Sequence, residues 1–265
     1  MRGRASGSGE RLPSALLSSE LWQAFSSNEL FVFLDFDGTL APIVERPEWA
    51  AISEETRSVL RRLVSLVPTS VISGRDGADV ERLVAIPDVI CVGGHGWDPP
   101  LSCMDRFAGM PTTREEDVSD VAQKLRGRLA DVRGVEVEQK RHSVVVHVRR
   151  ADAEGEKAAE DAVAAAVGGD SRFRVSVGKR ILEVLPATGW NKGSAVLALL
   201  GASRRLPLYL GDDRTDEDAF RAIRSRGVGI LVAEQERETA ASYRLRDPGE
   251  VRCFLDRLVR VRTPV

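Results

Sequence analysis

Five apolar residues, Leu30-Phe31-Val32-Phe33-Leu34, run without interruption into Asp35-Phe36-Asp37-Gly38-Thr39. An apolar run of this length that stops at a turn reads as a strand buried on both faces, the kind found in a parallel sheet covered by helices. Open α/β sheets bind ligands at the carboxyl ends of their strands, so the two carboxylates stand at a binding edge. Asp35 and Asp37 repel one another unless a cation lies between them. Oxygen donors on a short turn suit Mg2+, which takes one or two carboxylates together with water and phosphate oxygens. Metal-assisted phosphoryl transfer is the chemistry implied. Read alone, the same five residues also fit an ordinary strand-to-loop turn with a helix cap.

The rest of the chain narrows the choice of fold. Residues 31–35, 69–73 and 89–92 read as extended and 53–66 and 76–84 as helical, a βαβαβ order that builds a parallel sheet. The pattern resumes with helices at 191–200, 215–223 and 249–260 and strands at 206–210 and 227–232. Between the two halves the character changes. Residues 114–130 and 152–167 read as helices, and 135–138 with 143–149, then 173–177 with 180–185 across Gly178-Lys179, as antiparallel pairs. The expected organisation is an α/β core from 15–109 and 188–265, interrupted by an α+β insert over 110–187.

Composition removes several functional classes. With 265 residues and 43% hydrophobic content the chain can bury one large core or two modest ones. A net charge of -2 gives no basic field, so neither nucleic acid nor an anionic membrane is an expected partner. Cys91, Cys103 and Cys253 form no CxxC pair, which argues against disulfides and structural zinc and for a reducing, cytoplasmic location. No apolar run is long enough to cross a membrane, and residues 1–14 read as a disordered tail. A monomer is expected.

Three further segments bear chemistry. Gly211-Asp212-Asp213-Arg214-Thr215-Asp216-Glu217-Asp218 places a second acidic turn after the extended segment 206–210, and two such turns on neighbouring strands would form one cation site. For Glu217 and Asp218 the alternative is simple complementarity to a helix dipole. Ser73-Gly74-Arg75 follows another apolar run, where the hydroxyl either binds a phosphoryl oxygen or caps the next helix. Asn191-Lys192-Gly193 opens a helix, with Lys192 either neutralising phosphate and carboxylate or standing in solvent.

In the order DxDGT, SGR, NKG and GDDxTDED, these segments resemble the haloacid dehalogenase (HAD) superfamily of phosphatases. The resemblance implies a HAD-like Rossmannoid parallel-sheet core with an inserted αββαββ, C2-type cap, and an aspartyl-phosphate mechanism. By it, Asp35 is the nucleophile and Asp37 the general acid and then base. Mg2+ would be held by Asp35, the main-chain carbonyl of Asp37, and Asp212, with Asp216 a ligand or the partner of one. Ser73 and Lys192 would bind the transferring phosphoryl oxygens, with Thr39 and Arg75 also on the substrate side.

Within that superfamily the chain resembles the trehalose-6-phosphate phosphatase family over residues 31–254. The residues carrying the likeness are DFDGTLAP at 35–42, Gly94-His95-Gly96, Glu138-Gln139-Lys140, Gly178-Lys179, Ile181-Leu182-Glu183-Val184-Leu185-Pro186 and Gly189-Trp190-Asn191-Lys192-Gly193, with the second acidic turn. It implies a cap over the active site and a sugar phosphate substrate, trehalose 6-phosphate. The alternatives are a trehalose-like pseudo-disaccharide phosphate or another phosphosugar and, remotely, a non-catalytic sugar-phosphate-binding module. Gly94, His95, Glu138, Lys140, Lys179 and Glu183 are expected at the sugar, since carboxylates and lysines pair well with hydroxyls. Solvated cross-strand pairing is the plainer reading of Glu138, Lys140 and Glu183. His147, in a strand of the insert, reads either as facing the sugar or as packed, with packing the plainer reading. Two positions depart from the family pattern: Gly94 stands where a polar or acidic residue often precedes His-Gly, and Gln139 where an acidic residue is frequent.

Overall fold

The computed structural model describes residues 12–112, 114–178 and 180–263. Two compact units are present, one formed by the chain up to residue 109 and from 191 onward, the other by residues 110–190. The first unit begins with α1 (Ser19–Ser27), β1 (Leu30–Leu34), α2 (Glu54–Val64), β2 (Thr69–Ile72), α3 (Gly77–Val84) and β3 (Ile90–Val92). The second contains α4 (Glu115–Leu129), β4 (Glu136–Gln139), β5 (Val144–His147), α5 (Ala153–Val167), β6 (Phe173–Gly178) and β7 (Ile181–Pro186). The chain then returns to the first with α6 (Lys192–Leu200), β8 (Leu206–Gly211), α7 (Asp216–Ile223), β9 (Val228–Val232), β10 (Tyr243–Leu245) and α8 (Pro248–Arg262).

In the first unit the strand order is β10-β9-β8-β1-β2-β3, every pair parallel. All five residues of β1 are buried because helices cover both faces. On one face Leu30, Val32, Leu34, Leu208, Leu210, Ile230 and Val232 join apolar side chains of α1, α2, α3 and α8 in a single cluster. On the other face Tyr209 meets Phe220 of α7 edge-on, ring centroids 5.6 Å apart. The α/β class expected from the sequence is therefore present. β1 lies between β8 and β2, which brings the acidic turns after β1 and β8 side by side.

Two elements were not foreseen. Ser18 caps α1 by accepting from Leu21 N at 3.2 Å, and Trp22 and Phe25 of that helix pack on Phe254 of α8. β10 is a three-residue edge strand, too short to announce itself by alternation. Alongside it Ser14 bridges Arg244, Arg244 N donates to Pro13 O at 3.1 Å and Ala15 N donates to Arg244 O at 3.0 Å. Pro13 and Ser14, expected in a disordered tail, are instead held at the sheet edge; residues 1–11 of that expected tail lie outside the described residues.

The second unit is a four-stranded antiparallel sheet, order β4-β5-β7-β6, with α4 and α5 on one face. Val144, Val146, Leu182 and Val184 pack there against Val118, Val121 and Leu125 of α4 and Ala159 and Val163 of α5. Strand alternation sends the residues between them to the opposite face. In register, Glu138 stands opposite Val145, Val145 opposite Glu183, and Glu183 opposite Ser176, one row across all four strands.

Candidate active site

The site is built where β1 and β8 end. The ladder continues one residue past β1, Asp35 N donating to Leu210 O at 2.9 Å, so Asp35 stands beside Gly211 and Asp212. The chain then reverses sharply, Gly38 N donating to Ala41 O at 2.7 Å with Gly38 at φ +85°. A Cβ at Gly38 would sit 2.2 Å from Asp212 Oδ2, so only glycine lets this turn close against that carboxylate. At Gly211 an added Cβ would lie 2.3 Å from Asp216 Cγ, so the bare backbone there makes room for Asp216 to fold back beneath its own loop.

Lys192 joins the two acidic turns. It is the first residue of α6, whose N-cap Asn191 accepts from Ser194 N at 3.0 Å. Its ammonium is 2% exposed and donates to Asp35 Oδ1 and Asp216 Oδ1, both at 2.7 Å, so the solvent reading of this lysine falls. Asp216 also accepts from Tyr209 Oη at 2.7 Å and from Asp213 N at 2.9 Å. Oxygens of Asp35, Asp212 and Asp216 lie within 4.8 Å of one another. Three carboxylates facing one ammonium leave an excess of negative charge. An all-oxygen donor set without thiol or imidazole suits a hard divalent cation of the Mg2+ class, so the residues present fit the expected ion.

Electrostatics follow from this crowding. Burial pushes the Asp35 carboxyl well above the usual carboxylate range, with Asp216 and Asp212 adding to the rise and Lys192 opposing it. Burial alone would depress Lys192, but Asp216 and Asp35 hold its ammonium above the ordinary lysine value. The Tyr209 phenol is raised by burial and by Asp216 and Asp35, and so remains a hydrogen-bond donor.

Asp37 is engaged differently. Arg75 grips it with both faces of the guanidinium fork, Nε to Oδ2 at 2.7 Å and Nη2 to Oδ1 at 2.8 Å, and also reaches Asp79 at 3.1 Å and Pro47 O at 2.9 Å. Burial works against the Arg75 cation, yet Asp37 and Asp79 keep its pKa above the ordinary value. Ser73 is buried and accepts from Arg75 N at 3.2 Å, a turn of its own rather than the cap of α3, whose N-cap position is Asp76. Gly94 N donates to Arg75 O and His95 N to Ser73 O, both at 2.8 Å, which ties the Gly94-His95-Gly96 loop to the Ser73-Gly74-Arg75 loop. Thr39 is fully buried, and its Oγ1 has no hydrogen-bond partner among the described residues.

The remaining expected residues belong to the second unit. Glu183 is 5% exposed and accepts from Ser143 Oγ at 2.8 Å, which rules out a solvated pair for this carboxylate. Glu138 Oε2 lies 2.8 Å from His147 Nε2, and that hydrogen bond is the main cause of its lowered pKa. His147 is therefore not a packed strand residue; the register puts it on the same face as Glu138, where its ring meets a carboxylate. Lys140 N donates to Ser143 O at 2.8 Å at the end of the β4–β5 pair. Gln139, one of the two departures, accepts from Arg126 of α4 at 3.3 Å, so it serves the helix side and not the face of Glu138 and Glu183. Lys179 lies outside the described residues. Ser143 and His147 were missed as partners because only the register of β4 against β5 reveals them.

Comparison with known proteins gives the family and the fold. A family model described as trehalose-phosphatase matches residues 33–249. The probable trehalose-phosphate phosphatase 3 of Oryza sativa subsp. japonica is 36% identical over 277 residues, spanning 96% of this chain and 76% of that protein. Trehalose 6-phosphate phosphatase RA3 of Zea mays is 35% identical over 271 residues, 94% of this chain and 75% of that one. The solved C-terminal domain of the C. albicans trehalose-6-phosphate phosphatase superposes with a TM-score of 0.77 at 26% identity, covering 96% of this chain and 99% of that one. Matched by the family model over most of its length, the chain belongs to the trehalose-phosphatase family of the HAD superfamily.

Proposed function

We propose that the chain is a Mg2+-dependent phosphomonoester hydrolase that converts trehalose 6-phosphate to trehalose and phosphate. The observation carrying this reading is the convergence of Asp35, Asp212 and Asp216 on the Lys192 ammonium at two neighbouring strand ends. In the first step an Asp35 oxygen bonds to phosphorus as the bond to the sugar oxygen breaks, and the Asp37 carboxyl gives that oxygen its proton. In the second, the Asp37 carboxylate takes a proton from water while the water oxygen displaces Asp35, releasing phosphate and restoring both side chains. Arg75 orients Asp37 by donating to both of its carboxyl oxygens. Lys192, the Ser73 hydroxyl and the buried Thr39 hydroxyl receive the phosphoryl oxygens. Asp35, Asp212 and Asp216 would hold Mg2+, which when bound would supply the neutralisation that lets a phosphate dianion approach a carboxylate.

For the sugar, the Glu138 and Glu183 carboxylates would accept from hydroxyls and the Lys140 ammonium would donate to them, and the names carried by the curated relatives support trehalose 6-phosphate as the ester. Purified protein with Mg2+ and a panel of trehalose 6-phosphate, sucrose 6-phosphate and glucose 6-phosphate tests the assignment by phosphate release. Clear preference for trehalose 6-phosphate is expected. Equal or faster turnover of either competitor would overturn the substrate while leaving the chemistry standing.

A further inference from the structure

We infer that Arg237, on the loop between β9 and β10, is a positioning residue that fixes Asp212 for metal binding; this deepens the reading of the acidic cluster and rests on it. The guanidinium lies behind the second acidic turn. Its Nη2 donates to the main-chain carbonyls of Asp212 at 3.2 Å and Asp213 at 3.0 Å, and its Nη1 to Glu217 Oε1 at 2.7 Å. Glu217 is 6% exposed, and its other oxygen accepts from Ala240 N at 2.7 Å, which ties the first turn of α7 to the loop that carries Arg237. The turn is also pinned from within, Asp213 N donating to Asp216 Oδ2. Asp212 and Asp213 thus have their peptide planes held by a side chain arriving from the neighbouring strand's loop. Because Glu217 neutralises the guanidinium, the clamp orients the backbone without placing an uncompensated positive charge near a cation site. A buried Glu217 with two specific partners is more than a residue complementing a helix dipole.

Outer partners that orient a metal ligand typically alter metal affinity by about 10–100-fold when removed. Isothermal titration of the full chain with Mg2+ therefore tests the inference directly, alongside phosphate release at increasing Mg2+. Arg237→Ala should weaken Mg2+ binding by about tenfold or more and raise the Mg2+ concentration for half-maximal rate by the same factor. KM for the sugar phosphate at saturating Mg2+ should hardly move. Arg237→Lys, which keeps the charge but cannot hold both carbonyls and Glu217 together, should fall between. Wild-type Mg2+ affinity in both variants, measured well below their melting temperatures, would overturn the inference. Asp212→Asn separates the layers: if it binds Mg2+ as the wild type does, the assignment of the metal site itself fails, and the clamp with it.

Discussion

Lys192 is the cation the fold itself places against the carboxylate of Asp35, the proposed nucleophile. Removing one partner from a buried ion pair typically costs ~3–5 kcal/mol, so Lys192→Met should lower the melting temperature as well as abolish turnover. Asp35→Asn should abolish turnover too, but with the opposite effect on the metal-free fold. The Asp35 carboxyl is raised in the folded state, mainly by burial, so its contribution to stability is fully present below the unfolded carboxylate pKa and is lost as pH rises through the raised value. Metal-free Asp35→Asn should therefore melt higher than wild type at pH 8, with the gap closing toward pH 4; thermal scans showing wild type as the more stable at pH 8 would contradict this. Among single residues, the motif carboxylates and Ser73 were legible because turn chemistry follows an apolar run at a strand end, and Lys192 because Asn191-Lys192-Gly193 opens a helix. The grip of Arg75 on Asp37 and of Arg237 on the second acidic turn were not, since neither pair is near in sequence and only the strand order brings them together.

The elements show the same division between local signal and long-range pairing. β1, β8 and β9 were readable because both-face burial leaves largely apolar runs, whereas α1 and β10 owe their existence to α8 and to β9 respectively. The polar face of the second unit was half legible: Glu138, Lys140 and Glu183 could be named, but Ser143 and His147 needed the β4–β5 register. α6 offers a test at this scale. Its cap places Lys192 at the start of the helix, and losing an Asn cap costs about 1 kcal/mol. Asn191→Ala should thus reduce stability by about that amount in a denaturant titration and lower kcat more than it raises KM, whereas Asn191→Asp, which can still accept from Ser194 N, should retain both. A kcat unchanged in Asn191→Ala would separate the cap from the positioning of Lys192.

For the molecule as a whole, the proposed Mg2+ site in the acidic cluster would make metal binding and folding one equilibrium. A ligand present at a hundredfold its Kd stabilises the folded state by about 2.7 kcal/mol, so Mg2+ should raise the melting temperature and EDTA reverse it, with Asp212→Asn insensitive to both. Thiol labelling reports on the integrity of the first unit, because the Cys91 thiol is pushed by burial up to about 12 while Cys253 is exposed. Cys253 should react with iodoacetamide at neutral pH and Cys91 only on unfolding. The central claim is that Asp35 itself carries the phosphoryl group between the two steps. Para-nitrophenyl phosphate needs no proton on its leaving oxygen, so Asp37→Asn should complete the first step with it and stall before the second. Peptide mass spectrometry of that variant, acid-quenched after reaction with para-nitrophenyl phosphate and Mg2+, should find one phosphoryl group on the peptide containing Asp35. A phosphoryl group on any other residue, or one that persists when Asp35→Asn is added, would contradict it.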